Sequence, residues 1–178
     1  LPLGTFSVGL DFLSAWFLLA ILAVCALAAI YGMGYLRPFA GRKNLGAVWF
    51  FYAILTAAMM LVVLARDALL FLLAWEVMSL ASYFLVVFED EQESVREAGW
   101  TYLVATHIGT AFLLILFVLM GQTNGATSFG AMARAGVPEA VRGAAFLMAV
   151  IGFGTKAGFI PLHVWLPEAH PAAPSHVS

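Results

Sequence analysis

Glu76, His107, Lys156 and His163 are the ionisable side chains that fall inside long apolar stretches, away from their ends or, for His163, nearer one. A charge at the centre of a bilayer costs about 2.5 to 3.5 kcal/mol on insertion scales, so such residues pair, face the bundle interior and mark ion or proton pathways. Glu76 and Lys156 each lie within about 3 Å of the midpoint of their stretch at helical rise, which allows the two to meet. Burial in hydrocarbon favours the neutral amine, and a neighbouring carboxylate favours the ammonium. At about 4 Å and an effective dielectric near 20 the attraction is about 4 kcal/mol, roughly a thousandfold in proton affinity. Moving or neutralising Glu76 therefore makes Lys156 release its proton. A lysine so poised is a switchable proton carrier.

Helical spacing adds polar support. Ser79 stands at i+3 and Tyr83 at i+7 from Glu76, which puts two hydroxyls on the carboxylate's face, suited to holding water or a proton. His107 with Thr110 at i+3 forms a second polar face, and its plainer role is a neutral imidazole hydrogen-bonded between helices. His163 is at i+7 from Lys156, on the same face if the helix is continuous, but Pro161 lies between them. The plainer role for Glu76 and Lys156 is a static ion pair that sets helix register. A buried pair is weak evidence of stability, so the switch is the stronger reading.

These residues need helices to hold them at depth. The 178 residues are 63% hydrophobic and 10% charged, far from soluble composition, so a water-soluble globule is excluded. Five windows suffice to cross about 30 Å of hydrocarbon: 12–35, 46–65, 68–88, 102–120 and 143–166. The expected fold is an all-α, polytopic membrane helix bundle with five transmembrane helices in one membrane domain over 1–178. Gly152, Gly154, Gly158 and Pro161 punctuate the fifth span, which is expected to be discontinuous, because proline clashes with the carbonyl of Ala157 four residues back. Broken helices at membrane depth line cavities or are buried in protein.

The remaining features are plainer. A formal charge of −2 offers no basic field for nucleic acid, which is excluded as a partner. The single cysteine, Cys25, reads as a small buried hydrophobe, and no Cys/His metal set can be assembled. Glu89, Asp90, Glu91, Glu93, Arg96 and Glu97 read as a solvated loop after the third span. Phe129, Met132 and Ala133 suggest one amphipathic turn at the interface. Trp16, Trp49, Trp100 and Trp165 read as interfacial anchors, whereas Trp75 is too deep for that role. Arg37, Arg42, Lys43 and Arg96 on one face against Arg66, Arg134 and Arg142 on the other place Leu1 faintly on the outside. The absent initiator Met suggests a cut start.

Two stretches carry a resemblance. Leu73-Ala74-Trp75-Glu76-Val77-Met78-Ser79-Leu80-Ala81-Ser82-Tyr83 and the run from Gly154-Thr155-Lys156 through Pro161-Leu162-His163 to Pro167-Glu168-Ala169-His170 resemble the signatures of the proton-translocating, antiporter-like membrane subunits. That family includes large membrane subunits of NADH dehydrogenase, Mrp-type cation/proton antiporters and membrane-bound hydrogenases. The stretch from Arg96 to Ala111 is most similar to the branch of hydrogenase-4 and formate hydrogenlyase component B. The resemblance implies that Glu76 matches a mid-membrane glutamate and Lys156 the lysine of a discontinuous helix, with His163 a usual histidine of the second motif. It further implies a multi-pass subunit of the inner or plasma membrane, beside other integral membrane subunits, lipid and a peripheral redox arm. No cofactor is expected in this chain, which lacks a dinucleotide fingerprint, cluster cysteines and haem ligands. Family members are much longer, so the chain corresponds to part of a first five-helix repeat, without its first two helices. One departure stands out: Ala157-Gly158-Phe159 replaces the usual Ser or Ala followed by Gln, leaving fewer side-chain hydrogen bonds along the water path. Two alternatives accompany the proton-pumping reading, a cation/proton antiporter subunit and a passive membrane anchor.

Overall fold

The computed structural model describes residues 6–121, 125 and 127–178; the expectation about Leu1 falls outside them. The elements are α1 (Phe12–Tyr35), α2 (Leu45–Leu64), α3 (Ala68–Val86), α4 (Glu93–Gly121), α5 (Phe129–Ala135), α6 (Glu139–Ala157) and α7 (Leu166–Ala172). No strand occurs among the described residues. Helices α1, α2, α3, α4 and α6 are long and apolar enough to cross a membrane.

Side chains suited to capping start these helices. The Asp11 carboxylate accepts from the Ser14 amide at 2.7 Å, and Asn44 accepts from Ala47 N at 3.1 Å. Asp67, only 2% exposed, caps α3 by accepting from the amides of Leu69 and Leu70, and it also accepts from the Thr127 hydroxyl. That bond, with a bridge between Asp67 and Ser128, ties the segment before α5 to the tight α2–α3 turn. On the opposite face of the bundle the Lys43 amine meets Asp90 at 2.9 Å and also Glu91, joining the α1–α2 and α3–α4 connections.

Helix α3 packs on α2 and α4, α4 packs on α6 and α7, and α1 packs chiefly on α2. Leu36, Val48, Tyr52, Leu85 and Phe88 form one buried cluster; Trp75, Leu113, Leu116 and Ala145 form another; Val86, Tyr102 and Ala169 a third. The last two surround the middle of α3, where the ionisable residues lie.

The structure moves several boundaries, two of them by nine residues. The fourth spanning helix begins at Glu93, nine residues before the expected 102, so much of the acidic stretch is a helical turn and not a loop. The reason is amphipathicity: Val95, Ala98 and Gly99 are buried against the bundle while Glu93, Arg96 and Glu97 stay in water. The fifth helix stops at Ala157 instead of reaching 166. Gly158 caps it in the left-handed region at φ 69°, and its amide returns to the Gly154 carbonyl at 2.9 Å. The break expected near Pro161 thus starts three residues earlier, and the chain resumes as helix at Leu166. The turn expected around Phe129 and Met132 is present as α5, with Met132 2% exposed.

Candidate functional site

Two small clusters of ionisable side chains lie on the inner stretches of α3, α4 and α6, the first largely buried and the second with His107 half-exposed. In the first, the Lys156 Nζ in the last turn of α6 donates to Ser79 Oγ of α3 at 3.0 Å and to the Tyr102 hydroxyl of α4 at 3.2 Å. The amine also sits over the rings of Trp75 and Tyr102, with centroids at 5.7 and 5.6 Å. Lys156 therefore rests on dipoles and ring faces. Its position at the C-terminal end of α6 adds the attraction of the helix dipole for a cation.

In the second cluster Glu76 Oε2 lies 3.3 Å from His107 Nε2, bridging α3 and α4. His107 Nδ1 is 2.9 Å from the Leu103 carbonyl. A carbonyl oxygen only accepts, so Nδ1 carries a hydrogen, and a neutral imidazole then has none left for Nε2. The contact with Glu76 is an ion pair only when the imidazole is protonated. Glu76 and His107 thus form a carboxyl–imidazole pair across α3 and α4. The other carboxyl oxygen, Oε1, is buried without a partner among the described residues.

Sequence reasoning allowed Glu76 and Lys156 to meet directly. In this conformation no ion pair within 4.0 Å joins them; Glu76 pairs with His107, and Ser79, one turn further along α3, takes the lysine. The i+3 spacing explains this division, since Ser79 is carried farther toward α6 than Glu76 is. Ser79 is fully buried and passes its own hydrogen to the Trp75 carbonyl at 3.0 Å. Tyr83 does not share the carboxylate's contacts; it packs against Phe84 at 5.4 Å and the Val86–Tyr102–Ala169 group, and so borders the first cluster. His163 is half-buried in the segment between α6 and α7, with Nδ1 lacking a partner among the described residues. Its register with Lys156 is lost because the helix ends before it.

Three contributors were missed or misassigned. Tyr102 was passed over, although it is a hydroxyl five residues from His107 on a deep helix. Trp75 was noted only as too deep for an interface. Trp165, expected as an interfacial anchor, instead donates its indole N–H to the Thr155 carbonyl at 2.7 Å and meets the Tyr102 ring edge-on at 5.2 Å. The helix break frees that carbonyl, and an orphan acceptor at membrane depth needs a donor. A cavity of about 280 Å³ opens beside Lys156, walled in part by Ser82, Tyr102, Trp165 and His170.

The family described as NADH:quinone oxidoreductase/Mrp antiporter, TM matches residues 65–178, which hold both clusters. The chain belongs to this family. Members of the NADH:quinone oxidoreductase/Mrp antiporter family similar to it include hydrogenase-4 component B of Escherichia coli K12, 38% identical over 169 residues, covering 95% of this chain and 25% of the relative. NADH-quinone oxidoreductase subunit L of Mycobacterium tuberculosis H37Rv is 33% identical over 168 residues, covering 92% of the chain and 26% of the relative. The chain thus spans about a quarter of the length of these curated relatives. In fold it is similar to a chain of the archaeal membrane-bound sulfane sulfur reductase, with a TM-score of 0.85 at 20% identity over 97% of this chain and 35% of that one. The expected family and the multi-pass membrane architecture both hold.

Proposed function

We propose that this chain is part of a proton-translocating membrane subunit of a respiratory-type oxidoreductase complex in the plasma membrane, coupling electron transfer in partner subunits to proton movement. The observation that carries the reading is a lysine amine at the broken end of a mid-membrane helix, held only by neutral groups, with a carboxyl–imidazole pair on the neighbouring helices. Family membership supports it. Lys156 is the carrier and Glu76 its movable counter-charge. While Glu76 stays on His107, Lys156 has no carboxylate in contact and holds its proton less firmly than with that counter-ion beside it. When Glu76 turns toward Lys156, the ammonium gains a counter-ion and the amine takes up a proton. Ser79 and Tyr102 orient the amine between these states, and the redox centres belong to partner subunits.

The test is proton flux in vesicles carrying the full-length protein in its complex. Lys156→Ala abolishes electron-driven flux and Glu76→Gln lowers it severely; normal flux in Lys156→Ala refutes the role. The family's Mrp members favour a second reading, exchange of a monovalent cation for protons. Cation-dependent flux without any electron donor would establish that one. Coupling untouched by Glu76→Gln would leave only a passive anchor.

A further inference from the structure

His176 has no part in either cluster, yet it is 5% exposed and neither ring nitrogen has a partner among the described residues. It lies in an aromatic niche. Its ring stands 5.7 Å from Tyr35 of α1 and 6.1 and 5.9 Å from Trp49 and Tyr52 of α2. Gly32 makes the room, because a Cβ there would come within 2.9 Å of the imidazole. The titratable groups facing it are Tyr35 from α1 and Tyr52 from α2, the latter donating to the Cys25 carbonyl at 2.7 Å, with the free Cys25 thiol of α1 lining the same cavity. On its own segment the nearest ionisable group is His170, bonded through Nδ1 to Ser178 Oγ at 2.6 Å.

The segment that His176 anchors forms part of the wall of the Lys156 cavity. Ala173, Val177 and Ser178 line that cavity together with Ser82 and Lys156. The amides of Val177 and Ser178 both turn back to the Pro174 carbonyl, at 2.8 and 3.1 Å, so residues 173–178 form a compact strap. We propose that this strap is a lid over the Lys156 cavity, pinned to α1 and α2 by the neutral imidazole of His176 and released when that ring is protonated. An imidazolium has two donors to satisfy, and the niche offers ring faces but no carboxylate contact.

The sign follows from burial, which alone holds the His176 pKa below its ordinary 6.5. A base whose docked pKa is depressed docks fully above its free value and loses docking as pH falls below 6.5. At pH 5 the docking equilibrium shifts by at most about 30-fold, the free value being 6.5.

The inference takes its physiological meaning from Lys156 as proton carrier, but its test does not depend on that role. In the full-length protein, with Cys25→Ala and any other cysteine replaced, Ser82→Cys reports opening of the cavity to a small, membrane-impermeant thiol reagent. Acid slows the thiolate reaction in every variant, so the readout is the labelling rate relative to the same protein carrying His176→Phe. That ratio is expected to rise severalfold from pH 8 to pH 5; a ratio that stays constant overturns the lid. Gly32→Ala, which crowds the imidazole, is expected to label fast already at pH 8, and labelling there equal to the parent also overturns it. Should His176→Phe fail to reach the membrane, His176→Gln takes its place under the same criterion. Undiminished proton flux in Lys156→Ala would defeat the proposed function while leaving the labelling result standing.

Discussion

Lys156 is held by two hydroxyls, and these are not equivalent. Ser79 is locked by its own bond to the Trp75 carbonyl, so its oxygen presents a lone pair to the amine. Tyr102 is edge-on to Trp165, which is fixed in turn on Thr155. A hydrogen bond to a charged group contributes about 1.5–3 kcal/mol, so losing one acceptor weakens the hold on the ammonium roughly tenfold or more. Tyr102→Phe keeps the ring and removes the hydroxyl; electron-driven proton flux is expected to fall about tenfold with expression unchanged, as measured in inverted vesicles. At the second cluster, His107→Ala leaves the Glu76 carboxyl without its imidazole partner. Its flux is expected to change, whereas a merely interhelical imidazole would leave flux untouched and lower only thermal stability.

The broken helix works as an element because its two halves are joined by a glycine cap and stitched by Trp165. A Cβ at Gly154 would fall 2.3 Å from the far edge of the Phe159 ring, which is half-exposed and can swing aside. Gly158 has more room, with Leu166 at 3.4 Å, but its φ of 69° disfavours any residue with a Cβ by about 1–2 kcal/mol. Gly158→Ala is therefore expected to lower thermal stability in detergent and reduce flux, with Gly154→Ala the milder of the two. The α3 cap is a second weak point. Asp67→Ala is expected to cost about 1 kcal/mol from the lost cap and more from the Thr127 hydroxyl left without its acceptor. A lowered melting temperature checks this.

Across the whole molecule, the two faces of the bundle are closed differently. One combines backbone bridges, Val8 to Ala65 and Asp67 to Ser128, with the Arg66–Asp11 ion pair at 2.7 Å. The other uses charge, with Lys43 between Asp90 and Glu91. Hydrogen bonds from Lys43 hold both carboxylates below their ordinary values of 3.8 and 4.5. The Lys43 pKa is raised above 10.5: burial opposes the rise, and the bonds to Glu91 and Asp90 outweigh it. Depressed acids contribute stability above their free values and lose it as pH falls; a raised base contributes below 10.5 and loses it as pH climbs. The clasp thus acts between about pH 4.5 and 10.5. Its carboxylates are two-thirds exposed, so the effect is modest and weakened by salt. Lys43→Ala is expected to raise protease cleavage between residues 37 and 44 at neutral pH and low salt, a difference from wild type that vanishes near pH 3.

Apolar run lengths and the rarity of buried charge are local properties, and they determined the five spans, the discontinuity of the last and the singling out of Glu76, His107 and Lys156. The two motifs pointed to the family for the same reason, since they are contiguous text. Which group touches which was decided only by tertiary packing: Glu76 on His107, Lys156 on Ser79 and Tyr102, Tyr83 turned away, Trp165 drawn inward. Those choices depend on the angle at which α6 meets α3 and α4 and on the exact residue where its hydrogen bonding stops, and a one-residue shift of that stop turns a side chain by about 100°. The niche around His176 belongs to the same class, since it is assembled from α1, α2 and a segment more than 120 residues away.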